Sequence, residues 1–310
     1  MNRLFVALVI LTLGTSINAL RRESDPPGER LLLIHADDAG LCASANRATI
    51  AAMETGVVSS ASIMVPCPGF EEFAGYALSH PEHDFGIHLT LTSEWSDIRW
   101  GPVSDVAEVP SLVMQDGTFW KTANQFAEHA VLTDVEKEMK AQIDRARTRG
   151  IRLTHLDCHM NSLLRRPDLL RLYVRVSDET GLPMRYAKRL PDGWDRVLSR
   201  EVVDEFYAQL KVLYARRNPL ADMIEHDNYD VPAEHKRSYF LRVLRNLKPG
   251  VTELVVHCCD TRTGDWAPPD APRRQADTDV CCSPEFAHEI DALGIQIIDW
   301  NDFARLAAVE

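Results

Sequence analysis

The most constraining feature of this chain is the unbroken apolar run Leu31, Leu32, Leu33 and Ile34, which leads through His35 and Ala36 into an Asp37-Asp38 pair. Apolar residues at consecutive positions suit a strand covered on both faces, the situation of a strand in a parallel sheet flanked by helices. Two carboxylates at the end of such a strand are expensive to bury unless positive charge compensates them. The run therefore sets an architecture and also a demand on what must lie beside it.

Similar units recur along the sequence. Residues 61–65, 85–91, 151–156, 183–187, 254–257 and 295–298 read as further strands. Ser44 is placed to cap a helix that continues to Met53, with Gly56 beyond its end. Thr133 and Glu136 form a capping-box pattern opening a charged helix that stops at Gly150. Another helix is expected over residues 167–180, and Ser283-Pro284 and Gly294 bound a late one. Residues 265–279, rich in Pro, Asp and Arg, read as one long surface loop. Strand–helix alternation implies parallel strands with right-handed crossovers. In a chain of 310 residues, this many units favours one α/β domain, a (β/α) barrel-like fold of irregular TIM type, over an open doubly wound sheet. Periodicity alone does not separate the two.

Acidic and histidine residues gather where the strands end. His35 to Gly40 follow the first run, and Gly86-Ile87-His88-Leu89-Thr90 lies on a later one. Thr154-His155-Leu156-Asp157-Cys158-His159 and Val255-Val256-His257-Cys258-Cys259-Asp260 complete the set. In parallel α/β folds the carboxyl ends of the strands carry the reactive groups. A divalent metal would compensate the paired aspartates, one Asp binding it while the other takes a proton from water. Taken alone, Asp37-Asp38 also fits a helix cap with a solvated neighbour, and His88 fits a satisfied core histidine. The clusters together favour a metal site suited to hydrolysis.

These blocks resemble the YdjC-like carbohydrate deacetylases, also called the ChbG/HpnK family. Residues 33–41 (LIHADDAGL) are similar to the family's first strand, and residues 56–65 (GVVSSASIMV) to its second block. Residues 86–92 (GIHLTLT) resemble its metal-histidine strand, and residues 154–159 (THLDCH) its His-x-Asp-Ser-His block. The likeness is close over residues 30–165 and weaker beyond. It implies a barrel-like deacetylase domain over residues 31–310, a divalent cation, usually magnesium or zinc, and removal of an acetyl group from an N-acetylated amino sugar or oligosaccharide. It also implies metal binding by Asp38, His88 and His159, with Asp37 as general base. His257, standing where the family has a His-Pro pair, is implied as general acid. Cys158 replaces the usual Ser, Met160-Asn161 interrupts the His-rich continuation, Cys258 stands for Pro and Ala39 for Phe. These departures spare the implied ligands and leave the sugar less constrained than the reaction. Trp95, Trp100, Trp194 and Trp266 are candidates either to stack on sugar or to anchor loops. Two other functions compete: a non-catalytic carbohydrate-binding protein of the same fold, and a metal-dependent hydrolase of another bond such as a phosphoester.

The formal net charge of −12 speaks against nucleic acid or anionic membrane as the main partner, and the oligomeric state stays open. Cys42, Cys67, Cys158, Cys258, Cys259, Cys281 and Cys282 remain beyond the N-terminal segment; the two vicinal pairs are candidates to join each other, with buried free thiols as the alternative. Residues 1–19 read as an export signal: Arg3, an apolar run over residues 4–13, then small residues up to Ala19. The run is too short for a comfortable permanent span, so no stable membrane anchor is expected after cleavage, and residues 20–30 would remain as a polar tail. The protein is thus expected to be exported, with a mature chain beginning near Leu20. Intact mass of protein from its native host checks this, and a cytoplasmic chain that retains residues 1–19 would refute it.

Overall fold

The computed structural model of the protein describes residues 28–309. The expected signal segment and most of the polar tail lie outside the described residues. In chain order the elements are β1 (Arg30–Ala39), α1 (Ala43–Glu54), β2 (Ser60–Ile63), α2 (Phe70–Ser79), β3 (Phe85–Leu89), α3 (Ala123–His129), α4 (Leu132–Thr148) and β4 (Leu153–Cys158). They continue with α5 (Pro167–Thr180), α6 (Arg200–Ala215), β5 (Met223–Glu225), α7 (Lys236–Asn246), β6 (Gly250–His257), α8 (Ala271–Cys281), α9 (Pro284–Ala292), β7 (Gln296–Ile297) and α10 (Trp300–Val309).

All named strands pair in parallel, in the order β4-β3-β2-β1-β6-β5, and β7 adds to the start of β1. The segment around residues 183–188 joins the two edges. Leu156 donates its N–H to the Pro183 carbonyl, and Arg185 donates to Leu156, each at 2.8 Å. On the other side Lys188 donates to Ala221 at 2.8 Å and Ala221 to Tyr186 at 3.0 Å. Read around the ring, the staves follow sequence order, so the expected irregular (β/α) barrel is what forms. The run at residues 183–187 forms single bridges on both sides and no regular ladder.

The alternation of β1 explains the interior. Leu32, Ile34 and Ala36 pack in the large cluster shared with the surrounding helices, whereas Leu31 and Leu33 join Val251, Ile298, Trp300 and Phe303 in a separate apolar plug. Above that plug the barrel is polar. His35 lies between the Ser60 and Ser62 hydroxyls, at 3.0 and 3.1 Å, and Asp84 accepts from Ser60 and Thr154. Most barrel interiors are filled with branched apolar side chains; here serines, histidines and carboxylates fill the middle layer.

Several local expectations are corrected. Ser44 does not cap α1: Cys42 occupies the N-cap without a side-chain bond, and the Ser44 hydroxyl donates to the Trp266 carbonyl instead. Thr133 lies inside the first turn of α4, so no capping box forms; the carboxylate of Asp134 accepts from Ser111, and the Ser111 hydroxyl satisfies the Val131 N–H. Residues 265–279 are not one loop, because α8 begins at Ala271. Its inward positions include Arg274, Asp277 and Thr278, polar residues where a helix pattern would show apolar ones. All seven cysteines are free thiols, so neither vicinal pair is joined.

Gly86 on β3 shows how tightly the polar layer is packed. A Cβ at this position would fall 2.3 Å from Nε2 of His155, whose ring is stacked on Trp300 at 4.5 Å and has no room to yield. Gly86→Ala should destabilise the fold by about 1–3 kcal/mol through overpacking, measured by urea denaturation. A variant as stable as the parent would show that the His155 ring can move.

Candidate metal centre

Asp37 and Asp38 both reach the carboxyl mouth of the barrel because β1 breaks its alternation there. Its register to β2 shifts between Ala36 and Ala39, and Asp38 takes φ 65°, the left-handed region that aspartate tolerates better than most residues. Ladder pairing supplies the rest. Asp37 is the register partner of His257 on β6, and His88 on β3 is the partner of Asp157 on β4. His159 follows β4 directly, and Met160 and Asn161, both with positive φ, turn the chain sharply after it.

Asp38, His88 and His159 come together. Asp38 Oδ1 lies 3.3 Å from His88 Nε2 and 3.3 Å from His159 Nδ1. The three ligand atoms all lie within 4.8 Å of one another, and all three residues are buried. Each imidazole presents its far nitrogen to a carboxylate: His88 Nδ1 to Asp157 at 2.6 Å, and His159 Nε2 to Glu94 at 3.1 Å. Such partners fix the tautomer and leave the near nitrogen as a lone-pair donor, the arrangement metal-binding histidines use. Asp38 Oδ1 is buried and without a hydrogen-bond partner. One carboxylate oxygen and two imidazole nitrogens converging on one point therefore fit a divalent cation.

The surrounding charges decide protonation. Burial would raise the Asp38 carboxyl, but Arg274 at 2.7 Å and the two histidines outweigh it and hold it well below the usual carboxylate range. Asp37 is not among these three groups. Its oxygens accept two bonds from Arg185, at 2.8 and 3.1 Å, and against the opposing effect of burial this arginine keeps it ionised. Burial lowers His159, yet Glu94 and Asp38 raise it to about 9 in the absence of a cation. His257 opens partly to the cavity; desolvation, its largest influence, depresses it to about 4, so it is a neutral imidazole, and its Nδ1 has no partner.

Sequence reasoning missed the arginines. Arg185 also binds Asp157 at 2.9 Å and Glu253 at 2.8 Å, and Arg274 binds Asp270 at 2.8 Å. A charge inside the strand-like run at residues 183–187 was the available signal for Arg185; for Arg274 the unrecognised helix hid it. The tryptophans divide. Trp100 is buried with its N–H on the Thr92 carbonyl, and Trp95 packs against Trp100 and Trp266 with Arg274 over its ring. Trp194 lines the cavity of about 680 Å³ into which Asp37, Asp38, His88, His159 and His257 also open.

Residues 31–292 match the family described as YdjC-like protein. A carbohydrate deacetylase of Thermus thermophilus is 32% identical over 260 residues, covering 83% of this chain and 88% of that protein. A carbohydrate deacetylase of Brevibacillus brevis is 36% identical over 155 residues, 50% of this chain and 58% of the relative. A crystal structure from Enterococcus faecalis, proposed to be a cellobiose-phosphate cleavage protein, superimposes with a TM-score of 0.71 at 26% identity, covering 89% of this chain and 99% of that one.

Asp38→Asn, His88→Ala and His159→Ala should each lose most bound zinc or magnesium, read by elemental analysis of the purified variants. Full stoichiometry in any one of them removes that residue from the centre.

Proposed function

The chain belongs to the YdjC-like family, and on that premise we propose that it is a metal-dependent carbohydrate deacetylase that hydrolyses the acetamide of an N-acetylated amino sugar. The observation that carries this reading is the ionised Asp37 beside the Asp38, His88 and His159 cluster, all opening into one cavity. Asp38, His88 and His159 would hold a divalent cation, which would supply a Lewis acid to polarise a carbonyl oxygen and lower the pKa of a water. Two imidazoles among three ligands suit a borderline ion such as zinc better than magnesium, whose usual ligands are oxygens.

The remaining work falls to the chain's own groups. Asp37, held charged by Arg185, accepts the proton of the attacking water. His257 faces it across the β1–β6 ladder as the group that protonates the leaving amine. Being neutral before the reaction, it takes up a proton from solvent in the open cavity, an uptake that negative charge building on the acetamide favours, and Asp37 returns to that solvent the proton it took from water, so the transfer balances. Phosphoester hydrolysis is the poorer reading. Of the three arginines that line the cavity, the two beside the reacting groups, Arg185 and Arg274, are both committed to carboxylates and do not present free guanidinium edges to a phosphate, which leaves Arg165 alone to meet one. A binding protein without turnover would not need Asp37 ionised next to a cation site.

Acetate release from N-acetylated chitin fragments by zinc-loaded protein tests the activity; phosphate release from sugar phosphates with no acetate would overturn it. Asp37→Asn should keep its metal while kcat falls by a factor on the order of 10² to 10⁴ with little change in KM. A metal-loaded Asp37→Asn enzyme with near-normal kcat would show that another group is the base.

A further inference from the structure

The cavity extends well beyond the reacting groups. Its volume of about 680 Å³ lies within the ~300–1,000 Å³ typical of sites that enclose a drug-sized ligand, ample for more than one pyranose ring. Its lining comes from different sectors of the barrel. Asp38, His88 and His159 come from β1, β3 and β4, whereas Trp194 follows the segment that closes the barrel and His226 follows β5. The Trp194 indole stacks on the His226 ring with centroids 4.7 Å apart and planes 19° from parallel. Its backbone is fixed as well: Trp194 donates to Pro191 at 3.2 Å, Leu198 donates to Trp194 at 2.9 Å, and Gly193 supplies the turn at φ 86°. Leu190, Pro191 and Ile224 extend the apolar wall, and the exposed carboxylate of Asp227 borders it.

We propose that Trp194, braced on His226, is the side chain on which a second pyranose ring of the substrate stacks, and so the residue that sets preference for a longer sugar over a single one. This deepens the deacetylase reading and rests on it for the position of the reacting unit. A pyranose has an apolar face of C–H groups and a rim of hydroxyls. A rigid indole matches the face, and a bordering carboxylate accepts from the rim. Of the four tryptophans singled out in the sequence, Trp194 is the one that lines this cavity; Trp95, Trp100 and Trp266 are spent on each other and on the loop that carries Glu94. Because the stack already exists, little ordering cost opposes binding.

Calorimetry and intrinsic tryptophan fluorescence of the full protein, titrated with N-acetylglucosamine and with its disaccharide from chitin, test the platform. The disaccharide should bind more tightly by a factor on the order of ten and shift the emission. Trp194→Ala should bring the disaccharide-to-monosaccharide affinity ratio close to one, and Trp194→Phe should retain most of the ratio while losing most of the shift. A parent protein with no preference for the disaccharide, or a folded Trp194→Ala that keeps the full preference, overturns the proposal. Should the alanine variant fail to fold by circular dichroism, His226→Ala must lower the ratio in its place, and an unchanged ratio there also overturns it. Preference for the disaccharide, lost with Trp194 but without acetate release from either sugar, would uphold the platform and sink the deacetylase reading. Acetate released from both with a ratio insensitive to Trp194 would do the reverse.

Discussion

The interaction on which the structure depends is the Arg185 guanidinium among three buried carboxylates. It binds Asp37 and Glu253 through hydrogen bonds of 2.8 Å and lies 2.9 Å from Asp157. Removing one partner of a buried ionic group typically costs several kcal/mol, because an uncompensated charge is left behind, whereas the intact group adds little net stability over an apolar core. Its value is in specification. With Arg185 in place, Asp37 stays charged and correctly aimed, and Asp157 is free to receive His88. The barrel also closes through this residue's backbone, since the Arg185 N–H bonds to β4. One side chain thus couples closure of the fold to the protonation of the site.

The acidic surplus follows from the same arrangement. Arg185 and Arg274 are outnumbered by the carboxylates they touch, namely Asp37, Asp38, Asp157, Glu253 and Asp270. Burial would push these acids towards neutrality, yet the arginines and histidines hold Asp37, Asp38 and Asp157 ionised. A cation at Asp38, His88 and His159 would draw on that surplus. It would also displace the proton from His159 and turn the carboxylates behind both histidines into supports for the ligand nitrogens. The polar layer beneath, with His35, Ser60, Ser62 and Asp84, carries hydrogen bonding down to α10, where the Asp84 carboxylate receives the backbone N–H of Trp300 at 2.7 Å.

What the sequence determined by itself is the sheet and the centre of the site. Apolar runs of strand length, such as residues 31–34, lack a polar face and so must be covered on both sides; that condition, repeated between helices, implies a parallel sheet, and the number of units favours a barrel whose closure only the tertiary structure shows. Asp37, Asp38, His88, His159 and His257 were legible because each stands at the end of such a run, and the family likeness assigned their order of roles. Only the tertiary structure decided what surrounds them. Arg185, Arg274, Glu94 and Asp157 act on the site from four separate stretches of chain, and long-range ion pairing has no period in a sequence. The α8 helix was hidden for a related reason: its inward residues Arg274, Asp277 and Thr278 are polar, so burial there reports a charge network and not an apolar stripe. Likewise, composition made the four tryptophans equivalent. Packing alone set Trp194 on the cavity wall and spent the other three on holding loops, because stacking partners as distant in sequence as Trp194 and His226 meet only when the barrel closes.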